Sequence, residues 1–467
     1  MDQVYSELLR NESLYPAVKH CPVFLEDESS ELGHFIEKSI KKPSSDILKS
    51  IDHSKIRPSP QLADLLYDSL NGNDFFSYSD DQADAVSSIV QLVIDSVKYG
   101  EKRTVIIRGR PGTGKSIVAL NAMGQLIKKK DNEGYQLNVC YFTANKAPRL
   151  YYADKLVEND VKKKDIESLF KHPVALKRNH LNEYHCSFFD EAHRLFEWAG
   201  GIGLTKNENL LKSCIVSSKV SVFFIDEDQA VTVRDKATID LIKRTAEECS
   251  SKVILGPSLS TQFRVLGGED YIEFIRDLLG YSDVRPYVFS YDSRDYTVHV
   301  YDSASHMRED LRRMNDLYGT SRMVSGYTYE WITKDNYNIG YDIILDNGDF
   351  KARWNLNEEK YSWLYDKDSF EDVGCIHTCQ GLDMQYCGVI IGKDLRYEDG
   401  KLIFDQSKIA LSDRSSGIRT CKDRNKAESL IRNTYNVLLT RGMRGTFIYC
   451  EDEGLREHIK DMLGQHD

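Results

Sequence analysis

The sequence predicts an α/β protein of two lobes, each built on a parallel sheet, and three observations predict it. From about Phe75 to Pro257, short β-branched and aromatic runs alternate with helical stretches: TVIIR, NVCYF, CSFFD, VSVFFID and KVIL. Runs that are apolar throughout and separated by helices belong to strands buried on both faces of a parallel sheet. A second alternation begins near Tyr296 with YTVHVYD and continues through RMVSGY, YDIIL, VGCIHT, YCGVIIG and TFIYC, which sets a boundary near Pro257. The third observation is the run Gly109-Arg110-Pro111-Gly112-Thr113-Gly114-Lys115-Ser116, which fits G-x-x-x-x-G-K-[ST] between an apolar strand and a helix.

Bulk properties limit what such a chain does. Its 467 residues suffice for several cores, and 41% hydrophobic with 29% charged residues is ordinary for a globular protein. No run approaches the ~20 apolar residues of a membrane span, and MDQVYSELLRNESLYP lacks a secretory pattern, so no membrane partner and a cytoplasmic location are expected. A net charge of −11 excludes binding of nucleic acid through bulk positive charge but leaves a local groove open. The ten cysteines are scattered, several inside apolar strands, as buried thiols are. Cys375, His377 and Cys379, with Cys387 beyond, sit in a run that alternates like a strand. No second ligand pair stands at zinc-ribbon spacing, so no metal centre is expected there.

The elements follow in order. Residues 1–70 read as an N-terminal helical segment, with patches at Glu31–Lys41 and Gln61–Leu70 broken by Pro43, Pro58 and Pro60. Residues 71–257 form the first lobe and 258–467 the second. In the first lobe Thr104-Val105-Ile106-Ile107 is a strand, and Ile117, Leu120, Met123 and Ile127 mark one face of the helix after the loop. Between them Gly109, Gly112, Thr113 and Gly114 let the backbone curl until its N–H groups and the helix N-terminus point at one phosphate. Lys115 then reaches the β/γ-phosphates and the Ser116 hydroxyl ligates Mg²⁺, which makes ATP and Mg²⁺ the expected ligands. The strand CSFFD ends on Asp190, aimed at the metal, and Glu191, which orients and deprotonates water. FFIDEDQ ends a second strand and offers Gln229 to the γ-phosphate. In the second lobe, Arg264 closes STQFR and Arg441 follows VLLT; each is suited to stabilise charge on a transferring phosphoryl group. The polar stretch Asp394–Asn425 reads as a loop with a short hairpin.

Taken in this order, the segments resemble superfamily 1 helicases. The likeness extends to Tyr78-Ser79-Asp80-Asp81-Gln82, Phe142-Thr143-Ala144-Asn145 and His377-Thr378-Cys379-Gln380-Gly381-Leu382-Asp383. It is closer still to the schlafen-type helicase-like family, through DEAHRL, FFIDEDQ, STQFR, ARWNL, VGCIHTCQGLD, GVIIGKDL and IRNTYNVLLTRGMRGTFIYC. The resemblance implies two tandem RecA-like lobes with the ATP site in the cleft between them. It implies that Gln82 reads adenine, that Phe263 stacks on it and that Asp383 sits near the ribose. It further implies that Asn145, Lys146 and Arg149 of the first lobe, with Thr378 and Gln380 of the second, face single-stranded DNA or RNA. Two departures stand out: the third motif reads DEDQ where helicases have G-D-x-x-Q, and the short span from Arg149 to His185 leaves room for only a small accessory subdomain.

Tyr151, Tyr152, Tyr327, Tyr329, Trp331 and Trp354 offer stacking platforms, although aromatic residues mostly pack cores. The expected activity is therefore an ATP-dependent helicase or translocase. The alternative is an ATP-gated switch that holds nucleic acid, or a partner protein, without unwinding.

Overall fold

The computed structural model describes residues 79–144, 168–176, 181–196, 209–262, 264–281, 296–355, 362–366, 368–379, 382 and 384–465. All of them belong to the second of two units, Lys55–Asp467, the first being Met1–Ser54. The described chain opens on helix α1 (Asp80–Tyr99), whose buried Ala85, Val86, Ile89, Val90, Val93 and Val97 follow helical spacing. It stops at Gly100, which takes the left-handed conformation (φ +73°).

Six strands make the first sheet: β1 (Arg103–Arg108), β2 (Val139–Thr143), β3 (Phe170–Lys171), β4 (Tyr184–Asp190), β5 (Ser218–Ile225) and β6 (Lys252–Leu255). They pair in parallel in the order β3-β2-β4-β5-β1-β6. Because strand side chains alternate, each central strand feeds two cores. Val105, Ile107, Tyr141, Phe188 and Phe224 pack with α1 and with α2 (Lys115–Ile127). Ile106, Phe142, Phe189 and Phe223 pack on the other face with α3 (Leu210–Val216) and α4 (Ile239–Glu248). There Phe142, Phe189 and Phe223 stack across three strands, with ring centroids 5.1 and 4.9 Å apart. Helix α2 departs from the expected one-faced stripe. Val118, Ala119, Ala122 and Leu126 are as buried as Leu120 and Met123, while Ile117 and Ile127 are half-buried, because the helix is covered by both the sheet and α1.

Helices α5 (Gly268–Leu278) and α6 (Ala304–Tyr318), then α7 (Ser362–Tyr365), α8 (Ile376–Cys379), α9 (Arg424–Leu439) and α10 (Glu453–Leu463), belong to the second lobe. Its strands are β7 (Thr297–Tyr301), β8 (Arg322–Ser325), β9 (Ile343–Leu345), β10 (Phe350–Ala352), β11 (Gly374–Cys375), β12 (Met384–Ile391), β13 (Leu395–Glu398), β14 (Lys401–Phe404) and β15 (Gly442–Cys450). Five of them form a parallel sheet in the order β11-β8-β12-β15-β7, around which one continuous core assembles. The two-lobed α/β architecture with parallel sheets is thus as the sequence predicts.

Two of the expected strands differ. YDIIL does not enter the parallel sheet: its β9 pairs antiparallel with β10 as a separate hairpin, with Ile343 and Leu345 buried and Ile344 exposed. VGCIHT is strand only at β11 and then turns into α8. The hairpin expected within Asp394–Asn425 is β13–β14. Among the described residues no helix is long and apolar enough to cross a membrane, and the nine cysteines are all free thiols.

Candidate functional site

The carboxyl ends of adjacent parallel strands form the rim on which a ligand meets an α/β sheet. Here β1, β5 and β4 stand side by side and end respectively in the glycine loop, Asp226 and Asp190. After Arg108 the chain turns through Gly112 and Gly114, both at positive φ (+80° and +81°), before α2 starts at Lys115. Space also demands glycine. A Cβ on Gly112 would lie 2.0 Å from Gln262 Oε1, and one on Gly114 would lie 2.1 Å from Gln82 Nε2. Thr113 Oγ1 donates to the Arg110 carbonyl (2.9 Å), and Lys115 Nζ donates to the carbonyls of Gly109 (2.7 Å) and Arg110 (3.1 Å). No side chain caps the N-terminus of α2, so its amides keep the polarity that suits an anion.

Asp190, the last residue of β4, is the centre of the polar network. Its Oδ2 accepts from Ser116 Oγ (2.7 Å) and from the Tyr141 hydroxyl, and its Oδ1 accepts from the Glu191 amide (3.0 Å). Burial raises its pKa and the adjacent Glu191 charge adds to this, while the Ser116 and Tyr141 hydroxyls and the Lys115 ammonium oppose it. Glu191 adopts a left-handed conformation (φ +51°), uncommon for a non-glycine residue and concentrated at functional sites. Its Oε2 is buried without a hydrogen-bond partner, and so are both ring nitrogens of His193, whose Nε2 lies 3.4 Å from Glu191 Oε2. Burial pushes the His193 imidazole down to about 3, so it is neutral near pH 7. A hydroxyl and a carboxylate facing each other beside a lysine, with buried acceptors close by, form a donor set that fits Mg²⁺ and a triphosphate.

The strap after β5 carries the third group. Asp226 Oδ2 accepts from Gln229 Nε2 (2.9 Å), and burial raises the Asp226 carboxyl against the pull of Lys115. Gln82 is buried, and its amide donates to the Thr113 carbonyl (3.0 Å), so it braces the loop from α1. Arg264 follows the segment that crosses to the second lobe. A Cβ on Gly112 would meet its Cβ at 2.7 Å, and its amide donates to Gln262 Oε1 (2.8 Å). Arg441, just after α9, is fully buried with its Nε donating to the Val437 carbonyl (3.1 Å). Burial pushes the Cys379 thiol of α8 up to about 12, and the charges of Arg441 and Arg264 act on it in the opposite sense.

The structure therefore brings together Gln82, Gly109, Gly112, Thr113, Gly114, Lys115, Ser116, Asp190, Glu191, Gln229 and Arg264. Phe263, Asp383, Asn145, Lys146, Arg149 and Gln380 lie outside the described residues; Thr378 is in α8, its side chain likewise outside them. Sequence reasoning missed Tyr141, Asp226, Gln262 and the pairing of Arg110 with Glu269 (2.7 Å) and Glu273 on α5. Asp226 and Gln262 stood inside motifs already singled out. Tyr141 and the two glutamates carry no local signal, since only the strand order and the meeting of lobes bring them in.

Residues 102–452 match the family Schlafen group 3, DNA/RNA helicase domain. An uncharacterized protein of Saccharomyces cerevisiae is 25% identical over 445 residues, covering 88% of this chain and 96% of that protein. Among solved structures, the arterivirus nonstructural protein 10 helicase in complex with DNA is similar over 79% of this chain at 12% identity, with a TM-score of 0.32; the match spans 65% of that chain's length. The Hef helicase domain of Pyrococcus furiosus is similar over 80% of this chain and 96% of its own, at 10% identity and a TM-score of 0.32. With three quarters of its length matched by one domain family and the phosphate-loop geometry in place, this chain belongs to the schlafen group 3 DNA/RNA helicase-domain family.

Proposed function

We propose that this protein is an ATP-hydrolysing, helicase-type enzyme that couples Mg²⁺-dependent turnover to single-stranded DNA or RNA in the cytoplasm. The observation that carries this reading is the Ser116–Asp190 hydrogen bond at the mouth of the glycine loop, with Lys115 beside it. The loop amides and Lys115 hold the β/γ-phosphates, and Lys115 leaves its contacts with the Gly109 and Arg110 carbonyls to do so. Ser116 and Asp190 hold Mg²⁺, which when bound neutralises phosphate charge. Glu191 takes a proton from the attacking water at its buried carboxylate. Gln229, Arg264 and Arg441 read the γ-phosphate and join the lobes around it. Gln82 and Phe263 bind adenine and Asp383 the ribose; Asn145, Lys146, Arg149, Thr378 and Gln380 face the strand. Family membership supports the nucleic-acid partner.

The test is ATP turnover measured with Mg²⁺ alone, with single-stranded DNA, with single-stranded RNA and with duplex. Stimulation by a single strand is expected. Lys115→Ala should abolish turnover while leaving the circular dichroism spectrum intact, and unchanged turnover in that variant overturns the site. Strand displacement then separates a motor from a nucleotide-gated clamp.

A further inference from the structure

Away from the phosphate loop, a cavity of about 580 Å³ opens between the strap that follows β5 and the hairpin region of the second lobe. That volume lies in the range of pockets that enclose small organic ligands. Its aromatic wall is the half-buried Trp331 with Tyr327 and Trp354 almost wholly buried behind it, the two indoles edge-to-face with centroids 6.1 Å apart. Its charged rim is Arg234 from the first lobe with Lys334 and Arg414 from the second, all exposed. We propose that this cavity receives one nucleotide of a single strand, its base against Trp331 and its phosphate among the three cations. The proposal rests on the nucleic-acid partner argued above and gives that partner a seat that the helicase-like motifs do not assign.

Three observations lead to a nucleotide. A cationic rim over aromatic faces selects an anionic ligand with a π-face and repels an ammonium ligand, which an aromatic cage alone would favour. The one acid of the lining, Asp413, is occupied within its own turn, where it accepts from the Ser415 amide (3.0 Å), the Ser415 hydroxyl (2.7 Å) and the Ser416 amide (3.1 Å). The indole Nε1 atoms of Trp331 and Trp354 are buried without an acceptor, and buried unpaired donors are costly. A base carbonyl supplies what they lack.

The walls are also held in advance. Asp342 accepts from the amides of Thr333 (2.9 Å) and Trp354 (2.8 Å), Ser412 Oγ accepts from the Trp331 amide (3.0 Å), and the Ala410 amide donates to the Tyr327 carbonyl (2.8 Å). A backbone fixed in this way loses little freedom when a base docks against it. The first lobe is tied to the same rim, since the Val233 amide donates to the Ser416 carbonyl (2.7 Å).

The test is fluorescence anisotropy of short labelled deoxythymidine and uridine oligomers on the full chain, read together with tryptophan quenching. Base stacking of this kind is worth roughly 5- to 100-fold in Kd, so Trp331→Ala should weaken both oligomers by that order, and Trp331→Phe should restore most of it. Lys334→Glu, at an exposed position whose ammonium lies over the Trp331 ring (5.3 Å), should weaken binding to both oligomers and flatten its salt dependence. Wild-type binding that survives Trp331→Ala and Lys334→Glu unchanged overturns the cavity and leaves the strand reading standing. Quenching by free thymidine monophosphate as deep as that by the oligomers overturns the strand assignment in favour of a free-nucleotide site. A wild-type chain that binds neither oligomer overturns both readings.

Discussion

At the scale of single residues, the role proposed for Asp190 turns on the balance of groups that sets its charge while it is buried. Desolvation and the Glu191 charge favour its protonated form; the Ser116 and Tyr141 hydroxyls and Lys115 favour the carboxylate. In the proposed mechanism only the ionised form would hold Mg²⁺, so turnover should fall as pH drops through the raised pKa. Tyr141 is the lever, because its hydroxyl donates to the Oδ2 that also receives Ser116, and Tyr141→Phe removes that donor with almost no change of shape. A hydrogen bond to a charged group is worth roughly 1.5–3 kcal/mol, about one to two pH units. The acid limb of kcat in Tyr141→Phe should move upward by about one unit, with turnover least affected above pH 8. A pH–rate profile reads this directly. A limb that stays in place would mean that the tyrosine only fills space.

At the scale of elements, the glycine loop illustrates why some of this site was legible and some was not. Gly112 and Gly134 have similar positive φ, +80° and +88°, yet their surroundings differ completely. A Cβ at Gly134 meets nothing within 4 Å, whereas one at Gly112 meets Gln262 and Arg264. Gly134→Ala should therefore cost only the backbone strain, about 1 kcal/mol, and leave nucleotide affinity alone. Gly112→Ala carries the same strain and must also displace the segment that joins the lobes, so ATP affinity should drop by more than tenfold. Paired thermal melts and nucleotide titrations distinguish the two. Equal losses in both would make backbone strain the whole effect.

The sequence pattern located this loop because strand, turn and helix there are consecutive, and the same holds for Asp190 at the end of β4. It located the β13–β14 hairpin for the same reason. It misread YDIIL, since alternation marks a strand but not its partner, and β9 pairs with β10 rather than with the main sheet. It misread VGCIHT as a longer strand because apolar alternation runs on through Ile376, where the backbone leaves β11 and turns into α8. Where a residue's role depends on a contact from another element, as with Tyr141 or Glu273, no local pattern carries it.

At the scale of the whole molecule, the segment that bears Gln229 also fastens the lobes together. Just beyond β5, Asp228 pairs with Arg276 of α5 (2.7 Å), the Ala230 carbonyl accepts from Asn433 of α9 (2.9 Å), and Val231 is fully buried in the core of the second lobe. Each sheet otherwise buries its own clusters, so this strap is a natural weak point between two cooperative units. Val231→Ala should remove roughly 2 kcal/mol from the junction, the cost of a small cavity, and split one calorimetric transition into two. A ligand gripped by both lobes at 100 times its Kd adds about 2.7 kcal/mol to the joined state, which exceeds that loss. A nonhydrolysable ATP analogue with Mg²⁺ should therefore merge the two transitions of Val231→Ala again. If the analogue raises only the transition of the first lobe, then Arg264 and Arg441 do not reach the phosphates, and the nucleotide belongs to the glycine loop alone.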